Sequence, residues 1–158
     1  MINMNQNETI DYFLKATWQT VANKYNNIAS QHGFTQAAGY ILLNIHKEGT
    51  TVSQIANYTG VRTTSLSRVL NNLESLGFIY REISAQDKRS VKVYLTELGV
   101  EKRRLAKDVV RGFNEYLEEA LTEEEREQLV NMLIKINELA ANYEPQTFSE
   151  AVVDNVVK

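Results

Sequence analysis

The sequence predicts a mainly α-helical chain carrying one small β-hairpin wing, and three observations predict it. A single proline, Pro145, occurs in 158 residues, which leaves long helices uninterrupted. Apolar residues recur at three- to four-residue spacing over most of the chain. Only between Phe78 and Leu95 does the period change, from about 3.6 to about 2.

From Glu8 to Gln31, Ile10, Phe13, Leu14, Trp18, Val21, Tyr25 and Ile28 form a helical stripe that Gly33 ends. Thr35 caps a second helix through Ile45, apolar nearly all round and therefore expected to be buried, with Gly49 as its stop. Thr51 or Ser53 caps a short third helix that ends before Gly60. A fourth runs from Thr63 to Ser75, with Leu66, Val69, Leu70 and Leu73 on one side and Gly77 as its end. Residues 78–83 and 91–95 then read as two strands around a polar loop, SAQDKRS. Thr96 caps a highly charged helix to about Glu118. Thr122 and Glu125 have capping-box spacing and open the last helix, whose stripe runs from Leu129 to Tyr143. Beyond Pro145 the chain reads as a tail, 146–158, either an amphipathic turn or a loose end.

Composition narrows the function. At 43% hydrophobic and 23% charged this is ordinary globular material. The absence of cysteine excludes disulfides, thiolate metal sites and thiol redox switches. The two histidines, His32 and His46, have no carboxylate cluster in sequence around them, so neither a metal nor any other cofactor is expected. The longest apolar stretch, Tyr40 to Ile45, falls far short of the roughly 20 residues of a membrane span, and MINMNQNET has no signal-peptide pattern. The expectation is a cytoplasmic protein without membrane contact. No nucleophile elbow, P-loop or Gly-rich dinucleotide turn occurs, and the acidic run at 123–125 is what a helix N-terminus favours, so no enzyme is expected.

Net charge is −3, but it is unevenly spread. Residues 60–104 hold nine basic against five acidic side chains, net +4, whereas residues 105–158 hold five against twelve, net −7. A basic middle is a footprint for phosphate, although ordinary surface charge can also reach that value.

Residues 52–71 carry the sharper signal. A small residue, Ala56, sits where two helices would cross; Gly60 follows at +4 for the turn; Ile55, Val61, Leu66 and Val69 fill the wedge. This is the helix-turn-helix pattern, against the plainer reading of a buried helix pair joined by glycine. The exposed side of the second helix then reads Arg62, Thr63, Thr64, Ser65, Ser67, Arg68, Asn71 and Asn72. Arginine bonds guanine edges, asparagine reads adenine, and hydroxyls reach phosphate or the thymine methyl. Thr63 and Thr64 have a second reading as helix caps. The hairpin adds Lys88, Arg89 and Lys92, with Arg89 on a tip suited to a narrow minor groove. Asp87 orients this wing, either by holding the Arg89 guanidinium or by shaping the turn as an Asx residue.

At this point the run from Thr51 through Gly99 resembles the MarR family of winged-helix regulators. The resemblance rests on TVSQIANYTGV, RTTSLSRVLNNLESLGFIYRE and AQDKRSVKVYLTELG, with Leu73-Glu74-x-x-Gly77-Phe78-Ile79, Asp87-x-Arg89 and Leu95-Thr96-x-x-Gly99 in register, and extends more loosely over Asp11 to Ala141. It implies a winged helix-turn-helix DNA-binding domain at 35–99 and a helical dimerisation region at 1–34 and 100–145. The implied partners are double-stranded DNA and a second copy of the chain. The implied function is a transcriptional regulator, expected to repress, on a pseudo-palindromic operator, with release by a small lipophilic or phenolic effector. The apolar stripes on 8–31, 100–120 and 122–143 support a dimer independently, because they exceed what the winged domain can cover. For the effector, Trp18, Tyr40, His46 and Arg111 are candidates to line a crevice, against the plainer reading of core aromatics and a solvated arginine. The alternative function is a winged helix that contacts protein without DNA, against which Arg62, Arg68 and Arg89 speak.

Overall fold

The computed structural model describes residues 9–145. Its elements are α1 (Ile10–Ser30), α2 (Gln36–Leu43), β1 (Thr50–Thr51), α3 (Val52–Thr59), α4 (Thr63–Ser75), β2 (Ile79–Ile83), β3 (Val91–Leu95), α5 (Glu97–Ala120) and α6 (Glu123–Ala141). The chain divides into two compact units between Phe113 and Asn114, with α5 contributing to both. No helix among the described residues is long and apolar enough to cross a membrane. The tail at 146–158 and the first eight residues lie outside the described residues.

The first unit holds the core. Ile41, Leu42 and Ile45 meet Ile55 from α3, Leu66, Leu70 and Leu73 from α4, and Ile79 and Val93 from the hairpin, all essentially without solvent contact. The three leucines of α4 recur at four and three residues, the spacing that puts them on one side of a helix. In the hairpin, Ile79 and Val93 face the core while Tyr80 and Tyr94 stack on the other face, ring centres 5.2 Å apart. Lys102 ties α5 to the α1–α2 turn. Its Nζ donates to the His32 carbonyl oxygen at 3.0 Å and lies 5.8 Å from the centre of the Phe78 ring.

Two expectations are corrected here. The second helix ends at Leu43, before the expected Ile45. The Asn44 side chain donates back to the Tyr40 carbonyl oxygen at 2.8 Å and caps the helix, and His46 N–H then turns to the Thr50 hydroxyl oxygen. Nor is that helix buried all round: Ala38, Gly39, Ile41 and Leu42 are buried, but Tyr40 is 44% exposed. The two-residue β1 was not expected. It adds a third strand, order β1-β3-β2, by pairing Thr50 with Val93 and Thr51 with Lys92.

In the second unit, α6 opens with the expected capping box. Thr122 accepts from Glu125 N–H at 3.2 Å, and the Glu125 carboxylate accepts from Thr122 N–H at 2.9 Å, which holds the Glu125 carboxyl below its ordinary range. No residue of α6 is buried, and Leu129, Met132, Leu133 and Leu139 of its apolar stripe are exposed.

Candidate nucleic-acid interface

The helix-turn-helix is held by local chemistry at each joint. Thr51 and Gln54 form a capping box at the start of α3. Gly60 ends α3 with φ +65°, a left-handed conformation that glycine adopts without cost to a Cβ. Val61 N–H bonds the Thr59 hydroxyl oxygen at 3.4 Å, and the chain then enters α4 through extended Arg62. No side chain caps α4, so Thr63 and Thr64 do not spend their hydroxyls on capping. With Leu66, Leu70 and Leu73 turned inward, Arg62, Thr63, Thr64, Ser65, Ser67, Arg68, Asn71 and Asn72 are all exposed. Among the described residues, the side chains of 62–65, 67, 68 and 72 make no hydrogen bond or ion pair. They form a polar face whose donors and acceptors point at solvent.

The wing tip resolves the two readings of Asp87. Its Oδ1 accepts from the backbone N–H of Arg89 at 3.0 Å, and its carbonyl accepts from Ser90 N–H at 2.9 Å. Ser84 closes the loop, donating its N–H to Ser90 O at 2.8 Å and accepting from Gln86 and Asp87 N–H. Asp87 therefore shapes the turn as an Asx residue, and the exposed Arg89 guanidinium is left without a partner among the described residues. Lys88 is exposed beside it. Lys92 stands apart: half-buried on β3, opposite Glu82 in register, it is on the face of the hairpin that carries Tyr80 and Tyr94.

One interaction was not anticipated. Arg81, on β2, donates from Nε to Glu74 Oε2 at 3.2 Å and again from Nη2 to the same oxygen, while Nη2 also donates to Asn71 Oδ1 at 2.9 Å. The hydrogen bond from Arg81 holds the Glu74 carboxyl below the usual carboxylate range. Asn71 is thus both on the exposed face of α4 and in contact with the wing. The available sequence signal was an arginine at a core-facing position of the strand, seven residues after a glutamate on the helix.

A cavity of about 300 Å³ opens among α1, α2 and α5 in the first unit. Trp18, Tyr25, Phe34, Tyr40, Leu43 and Val109 are among its lining residues. Burial pushes the Tyr25 hydroxyl up from its ordinary value, and its ring packs edge-on to Phe113 at 5.3 Å. Of the four candidate effector residues, Trp18 and Tyr40 line the cavity, while His46 and Arg111 do not. The His46 ring lies edge-on to Tyr58 at 6.1 Å, and Arg111 pairs with Asp108 at 2.6 Å. No group of three or more His, Asp or Glu that could hold a metal occurs among the described residues.

The MarR family model matches residues 32–90, from the α1–α2 turn to the wing tip. The HTH-type transcriptional regulator YdcH of Bacillus subtilis is 36% identical over 70 residues; the match covers 44% of this chain and 48% of that protein, so the chain spans about half the length of this relative. Among solved structures, MepR of S. aureus in a DNA complex has a TM-score of 0.77 at 26% identity, covering 82% of this chain and 97% of that one. A MarR variant from E. coli complexed with operator DNA has a TM-score of 0.73 at 26% identity, covering 82% and 96%. The regulator SlyA, at 22% identity and TM-score 0.75 over 84% of this chain and 94% of that one, shares the fold. Over residues 32–90, the helix-turn-helix and wing, this chain is thus similar to the MarR family, and it is similar in fold to the solved MepR and MarR structures.

Proposed function

We propose that this chain is a DNA-binding transcriptional regulator, a repressor acting as a homodimer on a pseudo-palindromic operator. The observation that carries the proposal is the exposed face of α4, whose hydroxyls, arginines and Asn72 amide lack partners among the described residues, beside a wing tip that ends in an arginine unpaired among them. A surface helix held only for solubility would carry Glu and Lys there. In this reading α4 enters the major groove, where Arg62 and Arg68 meet guanine edges or phosphate and Thr63, Thr64, Ser65 and Ser67 meet phosphate or bases. Asn71 and Asn72 complete the face. Lys88 and Arg89 enter the flanking minor groove, and Lys92 contacts backbone phosphate. The DNA complexes of MepR and MarR support this reading.

Residues 35–99 form the DNA-binding domain, and 1–34 with 100–145 the dimerisation region. The exposed stripe of α6 supports a helical partner, since a single chain leaves Leu129, Met132 and Leu133 in water. The protein works in the cytoplasm, where its DNA is. The apolar cavity beside Trp18 and Tyr40 supports a small lipophilic or phenolic effector that releases the operator.

Selection of genomic fragments by the purified protein at two salt concentrations tests the proposal. The expected result is a pseudo-palindrome with half-sites about 10 bp apart and a steep loss of affinity with salt. Weak, sequence-blind binding would move the protein-interaction reading to the front. Effector binding is read separately from quenching of Trp18, the sole tryptophan.

A further inference from the structure

On the exposed side of α4, Thr64, Arg68 and Asn71 share one stripe at i, i+4 and i+7. The first two are unpartnered; Asn71 is not. Its contact is chemically unambiguous. A guanidinium has donors only, so the Asn71 atom that faces Arg81 at 2.9 Å is the oxygen. Arg81 is not free to leave. Two of its N–H groups converge on one Glu74 oxygen, and β2, which carries it, is paired along its whole length with β3. Bidentate pairing with adenine requires an amide to present oxygen and nitrogen together, the oxygen accepting from N6 and the nitrogen donating to N7. An amide whose oxygen edge is turned to the wing presents its N–H edge alone.

Building on the DNA-binding reading above, we propose that Arg81 is a specificity-setting positioning residue: anchored on Glu74, it turns the oxygen edge of Asn71 to the wing, so that Asn71 donates to guanine O6 or thymine O4, where adenine presents its N6 donor, instead of pairing with adenine. The same three-residue contact ties the first strand of the wing to the recognition helix. Asn71, expected from sequence to read adenine, then selects against it.

The test is selection of binding sites from random duplex DNA with the wild-type protein, N71A, R81M and N71A/R81M, each first shown to melt cooperatively. The base position whose preference disappears in N71A is the one Asn71 contacts. In the wild type it is expected to be guanine or thymine on the contacted strand. In R81M the released amide should favour adenine at that position by about tenfold, and N71A/R81M should show no preference there. A purely structural role for Arg81 would lower affinity without changing the base chosen. Adenine already preferred by the wild type, an N71A motif identical to the wild-type motif, or an R81M motif identical to the wild-type motif would each overturn the proposal. If R81M fails to fold, E74Q, which loosens the anchor and keeps Arg81, is expected to move the preference in the same direction, and an unmoved motif overturns the proposal. If the wild type enriches no motif at all, the regulator reading falls first and this inference with it.

Discussion

A Cβ on Gly99 would collide with the carbonyl oxygen of Phe78. The first turn of α5 and the start of β2 are seated that closely because Thr96 stitches them together. Its hydroxyl donates to Gly77 O at 2.6 Å and accepts from Gly99 N–H at 3.0 Å, while its N–H bonds Phe78 O at 3.1 Å. The obstacle is backbone, which cannot rotate away as a side chain can. Gly99→Ala is therefore expected to destabilise the protein by about 2 kcal/mol or more, the range of an overpacked core. Chemical denaturation of the two proteins side by side measures it; an unchanged midpoint would disprove the close seating.

Gly60 offers the contrast. Nothing lies within 4 Å of its added Cβ, so the only obstacle to a side chain is the backbone angle, φ +65°. Gly60→Ala is expected to cost about 1 kcal/mol, and Gly60→Asn less, because asparagine tolerates the left-handed region. A cost for alanine as large as that of the Gly99 variant would contradict the distinction between the two sites.

Arg89→Ala should weaken operator affinity about tenfold, the order expected for one lost arginine contact. The turn is expected to survive, because Asp87 bonds the backbone of Arg89 and not its side chain. Light scattering should show an unchanged mass. Titration with operator DNA decides the matter, and equal affinity would remove the wing tip from the interface.

Leu133 lies in the middle of the exposed α6 stripe. Leu133→Lys places a charge where the proposed partner helix packs, on a helix that itself has no buried residue to disturb. The expected outcome is a fall from dimer to monomer mass at micromolar concentration, with helical content retained. A dimer that persists would place the dimer interface elsewhere.

The Glu74 carboxyl titrates below its ordinary range because Arg81 bonds it. A group lowered in the folded state stabilises above its unfolded pKa and loses that contribution as pH falls through the folded one. The stability difference between wild type and Glu74→Gln should hence be constant around neutral pH and shrink only at acid pH, below about 4. A difference that grew on acidification would mean the opposite sign and would break the assignment of the pair.

Much of this was legible in the chain. The four- and three-residue spacing of Leu66, Leu70 and Leu73 places α4 correctly from Thr63 to Ser75, and alternation places β3 at Val91–Leu95. Both are local signals. The end of α2 was misread because the apolar run continues to Ile45 after the helix has stopped; hydropathy does not register the Asn44 side chain turning back on Tyr40. A strand of two residues, β1, has no period to detect, and its partner lies some forty residues away.

The candidate site divides along the same line. Which residues line the outer face of α4, and that Arg89 tops a hairpin, follow from periodicity, since side-chain direction within one element depends only on its own geometry. Which of two roles Asp87 plays, which effector candidates reach one cavity, and that Arg81 holds Asn71 depend on contacts between elements, where a few ångströms decide a hydrogen bond. The sequence by itself determined the six helices, the wing hairpin, their order and the chemistry they display. Only the tertiary structure decided which of those groups are already engaged by the protein and which are left for a partner, because engagement is set by distances across the fold and not by spacing along the chain.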